Sequence, residues 1–294
     1  MARIDGILLL DKPHGLSSNR ALQRAKRALG ADKAGHTGSL DPLATGMLPI
    51  CLGEATKVAG HLLGQRKCYL ADVRLGATTT TADAEGEVVE SRAVGSYDEA
   101  RVAAVLASFV GRIMQRPPAF SALKRGGVPL YRLARRGVAV EAPLREVEIE
   151  SIVLVRRDPA TLSIRVVCGS GTYIRSLATD IGEALGCGAH VSALRRTWIE
   201  PFVEAAMVTL EAVEEHADTA RRGLLPIDAG LAVLPRADLG SAAAQGLVHG
   251  IPQHLPDLAW TGLGRAYGPE GHLLALVERG ADGLIRPQRV FVPA

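Results

Sequence analysis

Cysteine is scarce in this 294-residue sequence: Cys51, Cys68, Cys168 and Cys187 are widely scattered, and no Cys-x-x-Cys pair occurs. That spacing disfavours both a disulfide framework and a zinc site. Long apolar runs are also missing. No stretch of about eighteen hydrophobic residues is present, and the N-terminal MARIDGILLLDKP lacks the layout of a signal peptide. A cytoplasmic protein with no membrane association is therefore expected. Neither a Gly-x-x-x-x-Gly-Lys-Ser/Thr run nor a dinucleotide fingerprint occurs, so the sequence offers no recognisable nucleotide cofactor site.

A strong excess of charge of one sign is likewise absent. The net charge of +3 diagnoses no polyanion binder by itself, but the distribution is uneven. Residues 111–145 carry Arg112, Arg116, Lys124, Arg125, Arg132, Arg135, Arg136 and Arg145 against the single acid Glu141, while the stretch Glu200–Asp218 is mostly acidic. Such a basic segment, interrupted by Gly126-Gly127 and Pro129, repels itself and is expected to order against phosphates.

What is present reads as a mixed α/β domain over residues 1–228, with an insertion near 112–145. Gly6–Leu10 reads as a buried strand, followed by a helix capped by Ser17 or Ser18 and stopped by Gly30. Lys67–Leu75 reads as a strand, and Ser96 with Glu99 as the capping box of a helix ended by Gly111. Alternation in Glu146–Val155 (Val147, Ile149, Ser151, Val153, Val155) and in Leu162–Cys168 predicts paired strands. Ile174, Leu177, Ile181 and Leu185 share one face of a further helix closed by Gly186. After about Asp228, short apolar runs at Leu273–Val277 and Val290–Val292 alternate with turns, which suggests a small β-barrel over 229–294.

The stretch from Gly35 to Lys57, GHTGSLDPLATGMLPICLGEATK, is punctuated by Gly and Pro and reads as an irregular loop. Within it Pro42 biases Asp41 towards an extended backbone. By composition alone Asp41 is a turn former, a catalytic carboxylate or a metal ligand; the first is the commonest use of Asp-Pro. No Cys/His cluster or acidic triplet lies near it, so no metal is expected.

This stretch resembles the catalytic motif of the bacterial tRNA pseudouridine-55 synthase family, TruB, and the resemblance recurs in order along the chain. Asp11-Lys12-Pro13-His14-Gly15-Leu16-Ser17-Ser18 is similar to the family's N-terminal motif, Lys67-Cys68-Tyr69 to its Tyr-bearing strand, and Thr81–Gly86 to its acidic turn. Pro117–Gly137 resembles its insertion, and Gly171-Thr172-Tyr173-Ile174-Arg175-Ser176 its arginine motif; Gly186–His190 and Leu194-Arg195-Arg196 match further on. Ser17 and Ser39 stand where Thr and Ala are usual.

The resemblance implies an α+β fold: a mixed α/β catalytic core with a largely antiparallel sheet, a thumb-like basic insertion, and a PUA-like C-terminal barrel. It implies an isomerase that flips the T-loop uridine of tRNA out of its stack and needs no cofactor. Asp41, Tyr69 and Arg175 are its implied catalytic residues, with Arg175 pairing bidentately to Asp41 and countering the desolvation of that carboxylate. His36, Lys12, Lys124, Tyr173, Arg135 and Arg136 are implied in substrate binding, and Asp83 in ordering a turn or salt-linking the site. The partner is the T-arm of tRNA, with a monomer and no obligatory protein partner expected. Two other readings remain: a guide-RNA-dependent pseudouridine synthase, and a tRNA-binding or tRNA-folding protein in which catalysis is incidental.

Overall fold

Two adjacent apolar runs organise the first part of the chain. A computed structural model describes residues 3–62, 65–121, 123–134, 136, 138, 142–255 and 257–291. Strand β1 (Gly6–Lys12) leads into helix α1 (Ser18–Leu29), the short β2 (Ala34–His36) and β3 (Thr45–Leu52). β1 and β3 pair antiparallel from Gly6↔Leu52 to Lys12↔Gly46. Both are buried on both faces: Leu8, Leu10, Leu48 and Ile50 enter the main core, while Ile7, Leu9, Met47 and Cys51 enter a second one. The segment 35–57 is therefore not the irregular loop expected from its Gly and Pro content. A strand covered on both sides has no polar alternation to announce it.

The chain continues through β4 (Lys67–Leu75), the hairpin β5 (Ala77–Thr79) and β6 (Val88–Ser91), α2 (Glu99–Ser108) and β7 (Gly111–Gln115). Next come the small hairpin β8 (Lys124–Arg125) and β9 (Val128–Pro129), α3 (Leu130–Ala134), β10 (Arg145–Asp158) and β11 (Thr161–Cys168). Helix α4 (Ile174–Leu185), β12 (Ala189–Ile199), β13 (Val208–Thr209), α5 (Leu210–Glu215) and α6 (Ala217–Arg222) complete this part. The large sheet runs β13-β1-β3-β12-β4-β11-β10-β7, with β2 on β3. Only the β1–β13 and β3–β12 pairs are parallel, so the sheet is mixed and largely antiparallel.

Helix α1 is capped as its sequence requires. The Ser17 hydroxyl accepts from the Arg20 N–H, and Gly30 takes the left-handed conformation that closes the helix. Helix α4 ends in the same way at Gly186. For α2 the cap is Asp98, which accepts from the Arg101 N–H, in place of the expected Ser96–Glu99 box, and Gly111 opens β7. In β10 a bulge between Ile149 and Ser151 reverses the facing of later residues. Val153 and Val155 are thus exposed, and Ile152 and Leu154 pack inward, which the uninterrupted alternation did not foresee. Arg112 and Arg145 lie on the paired strands β7 and β10, so the ends of the basic segment belong to the sheet.

The C-terminal part forms a half-barrel-like sheet from β14 (Arg236–Asp238), β15 (Gln253–His254), β16 (Gly262–Tyr267), β17 (Leu273–Arg279) and β18 (Leu284–Val290), ordered β14-β16-β17-β18-β15. Helix α7 (Ser241–Val248) packs on it through Ala244 and Leu247. This sheet meets the rest of the molecule in a small core of Val58, Leu231, Leu276 and Phe291.

The two halves of the large sheet meet at the parallel pair β3–β12, which holds only two register pairs, Thr45↔Arg195 and Gly46↔Arg196. Gly46 has φ +95°, and a Cβ there would lie 2.2 Å from the Arg196 carbonyl oxygen. Gly46→Ala should therefore lower stability by about 2–4 kcal/mol through backbone strain and displacement of β12. Gly60→Ala, where nothing lies within 4 Å, is the control and should change it by no more than about 1 kcal/mol. Urea unfolding of both variants checks the difference.

Candidate active site

The residues before β3 are clamped from both sides. The Ser18 hydroxyl accepts from Leu40 N–H at 2.7 Å and donates to Leu40 C=O at 2.9 Å. Gly15 N–H donates to Pro42 C=O at 2.9 Å. The Lys12 ammonium, fully buried, donates to the carbonyls of Pro13, Leu16 and Pro42. Asp41 lies between Leu40 and Pro42, so the N-terminal motif fixes the backbone on each side of the carboxylate. Lys12 was expected to touch substrate; the structure corrects this, because burial and three carbonyl partners leave its ammonium no open face. Desolvation lowers its pKa to about 8, against the pull of Asp41.

Arg175, in the first turn of α4, is 5% exposed at its side chain and reaches Asp41 by Nε–Oδ2 at 2.9 Å. The expected bidentate pairing is not what forms. One terminal nitrogen donates to Thr81 C=O at 2.8 Å and lies 3.5 Å from the Asp83 carboxylate. The other donates to Phe120 C=O at 2.8 Å. The guanidinium is thus divided among two acids and two carbonyls, which leaves one oxygen of Asp41 uncommitted to it. Asp83 is buried, and its carboxylate also accepts from the Thr81 hydroxyl and the Glu85 N–H. It holds the turn and Arg175 together, as expected. Ala82, within that turn, adopts φ +60°, a strained conformation for a residue with a Cβ.

Asp41 is 41% exposed at its side chain, against 5% for Arg175 and 4% for Asp83. Its pKa lies above the ordinary carboxylate value. Desolvation is the largest cause; Arg175 opposes it, Asp83 adds to it, and Lys12 opposes it. The cation beside it therefore offsets the burial without reversing it, contrary to the simple expectation from an Asp–Arg pair.

Asp41, Tyr69, Tyr173 and Arg175 line one cleft of about 290 Å³, near the lower end of the roughly 300–1,000 Å³ usual for small-ligand pockets. A second cavity of about 550 Å³ meets it at Asp41 and Arg175 and reaches His36 on β2. His36 Nδ1 is buried without a hydrogen-bond partner, and desolvation lowers the pKa of the ring. Tyr69 on β4 is 8% exposed, and desolvation raises its pKa. Gln115 brackets Tyr173, accepting from its N–H at 2.8 Å and donating to its C=O at 3.1 Å.

Arg136 is exposed beyond α3 and lines neither cavity. Arg135 and the side chain of Lys124 lie outside the described residues. Sequence reasoning passed over Lys67 and Arg196, both of which line the smaller cleft. Lys67 and Tyr69 stand two apart on a strand and so share a face, and that spacing was the available signal.

A carboxylate whose folded pKa is raised contributes stability below its ordinary value and loses it as pH rises through the raised value. At pH 7 an ionised Asp41 is therefore a cost to the fold. Asp41→Asn should melt at the wild-type temperature or up to about 3 °C above it at pH 7. The gap should close as pH falls below the ordinary carboxylate range. Melting curves from pH 3 to 8 check this.

Residues 26–174 match the model of the TruB family pseudouridylate synthase (N terminal domain), and residues 175–232 that of the tRNA pseudouridylate synthase B C-terminal domain. The chain is 54% identical over 292 residues to the tRNA pseudouridine synthase B of Xanthomonas axonopodis pv. citri (strain 306), covering 98% of this chain and 94% of that protein. It is 50% identical over 301 residues to the protein of the same name from Burkholderia mallei (strain NCTC 10247), covering 99% of each. Among solved structures, a chain of a Cbf5-Nop10-Gar1 complex superposes with TM-score 0.76 at 28% identity, covering 99% of this chain and 86% of that one. By sequence and by fold, this chain belongs to the TruB family of pseudouridylate synthases.

Proposed function

We propose that this protein is a tRNA pseudouridine synthase acting on uridine 55 in the T-arm, with Asp41, Tyr69 and Arg175 as its catalytic residues. The observation that carries this reading is the convergence of an accessible Asp41, a buried Arg175 and Tyr69 on one small cleft. The chain doing so is 50–54% identical to proteins named tRNA pseudouridine synthase B. The reaction breaks the bond from C1′ to N1, turns the uracil, and joins C1′ to C5, while the C5 proton is lost and one is regained at nitrogen. It consumes no redox equivalent and no group donor.

Within that reaction Asp41 supplies the carboxylate that acts on the sugar or the base, from its uncommitted oxygen. Arg175 keeps that carboxylate ionised under the base. Tyr69, in the wall of the cleft, packs on the target ring and stands in reach of the C5 proton. His36 and Tyr173 frame the entry of the flipped nucleotide. The basic segment 112–145, with Lys124, Arg135 and Arg136, contacts tRNA phosphates, and residues 229–294 act as a PUA-like RNA-binding module. The protein works as a monomer without an obligatory protein partner, in the cytoplasm. Among the described residues no helix is long and apolar enough to cross a membrane.

The guide-RNA-dependent reading has one observation in its favour, the shared fold with Cbf5 chains. Identity to those chains is 27–28%, against 50–54% for the tRNA synthases. Incubating the purified protein with bare tRNA transcript and mapping pseudouridine by mass spectrometry separates the readings. Conversion at position 55 without added protein or guide RNA is expected, and its absence would refute the proposal.

Asp41→Asn should abolish conversion while tRNA affinity stays within about 3-fold. Arg175→Met should slow the single-turnover rate by about 10²–10⁴-fold at pH 7 and recover in part as pH rises, because the unpaired carboxyl then ionises only at higher pH. A wild-type rate and pH profile would remove Arg175 from this role. Replacing Arg135 and Arg136 with Ala should weaken tRNA binding and reduce the log–log salt slope by about 2; titrations across salt concentrations measure it.

A further inference from the structure

The small cleft has two electrical poles. At one, Asp41 and Asp83 share Arg175. At the other stand Lys67 and Arg196, 9% and 1% exposed, and among the described residues no carboxylate pairs with either. Lys67 Nζ has a single hydrogen bond, to Gln65 C=O at 3.2 Å. Arg196 donates from Nε to Met47 C=O at 2.7 Å and from one terminal nitrogen to Gly38 C=O at 3.0 Å. Both cations crowd Gly38: a Cβ there would lie 3.5 Å from the other terminal nitrogen of Arg196 and 3.8 Å from Cε of Lys67.

Two buried cations without an acid are costly, since each loses hydration and repels the other. The cost shows in Lys67, whose pKa lies below the ordinary lysine value through desolvation first and Arg196 second, with only the adjacent Cys168 opposing. The groups facing Lys67 are Arg196 on β12, Cys168 on β11 and Tyr69 on its own strand; the Cys168 thiol is itself pushed up to about 11 by burial. Among the described residues no carboxylate therefore neutralises this pole. Perturbed groups of this kind cluster where a ligand completes the charge balance.

We infer that Lys67, seconded by Arg196, binds the uracil ring at the moment it carries negative charge. This rests on the reading that the cleft isomerises uridine. When the C1′–N1 bond breaks, its electron pair passes to N1 and spreads over N1, O2 and O4, making a uracil anion, while C1′ is left as an oxocarbenium ion facing Asp41 or bonded to its carboxylate; nothing is oxidised or reduced. The charge is discharged when the ring's C5 uses an electron pair to bond C1′; the C5 proton then leaves and N1 takes one, so the ring ends neutral. Bound uridine is neutral, so a cation placed here favours the transition state over the ground state, and that difference is what accelerates a reaction.

The test compares wild type, Lys67→Met and Lys67→Arg on tRNA transcript carrying uridine or 5-fluorouridine at the target, since fluorine stabilises the ring anion without help from the protein. Lys67→Met should slow single-turnover loss of the target uridine by about 100-fold or more, with tRNA affinity within about 3-fold. Its penalty should be at least about 10-fold smaller on 5-fluorouridine. Lys67→Arg should stay within about 10-fold of wild type and lose the alkaline fall in rate that deprotonation of Lys67 imposes. A Lys67→Met rate within about 3-fold of wild type, equal penalties on both substrates, or a loss confined to tRNA affinity, as a phosphate contact would give, each overturns the inference. If Lys67→Met does not fold, Lys67→Arg decides by its pH profile: an unchanged alkaline limb overturns it. Inactivity of the wild type on tRNA would instead overturn the proposed function.

Discussion

The close parallel contact between β3 and β12 is the constraint on which the rest depends. Two register pairs join the halves of the large sheet, and at one of them the Gly46 backbone lies directly against Arg196. The Arg196 side chain then crosses back to the carbonyls of Met47 and Gly38, so the strand that follows Asp41 and the loop that precedes it are tied to β12. Tyr69 is the residue opposite Arg196 on β4. The carboxylate and the aromatic wall of the cleft are thus held in one frame by that backbone contact together with the Arg196 side chain.

Around that seam the electrostatics are deliberately unfinished. A buried arginine divided among two acids and two carbonyls does not neutralise Asp41 as a closed bidentate pair would. It anchors the carboxylate and leaves one of its oxygens free of the guanidinium. Asp83 and the Thr81 carbonyl hold the guanidinium in place, which explains why an acidic turn remote in sequence accompanies the loop around Asp41. Lys12 works in the same spirit, spending its charge on carbonyls that position Pro42.

Much of this was legible beforehand. The caps of α1, the strand β4 and the apolar face of α4 follow from local rules that act within a few residues. Asp41, Arg175 and Tyr69 were singled out through motif resemblance, since a lone Asp-Pro in a Gly-rich stretch reads first as a turn. Three kinds of feature escaped. Met47–Leu52 was hidden because a strand buried on both faces has no period. Val153 and Val155 were misplaced because a bulge changes which face a residue meets without changing the sequence pattern. The burial of Lys12 and the pairing of Lys67 with Arg196 depend on contacts between distant segments, which no window along the chain contains.

The change of texture near Asp228 marks where the sequence switches style, yet the packing does not part there. Lys57, in the turn directly after β3, donates to Val290 C=O at 2.8 Å, and its neighbour Val58 shares a core with Leu231, Leu276 and Phe291. On the other side Tyr267 donates to the Asp228 carboxylate at 2.7 Å. The C-terminal sheet is therefore welded to the end of the strand that begins just beyond Asp41. A load taken up by that sheet reaches the loop around Asp41 through the eight residues of β3, and cutting the chain at its compositional border would saw through a hydrophobic joint.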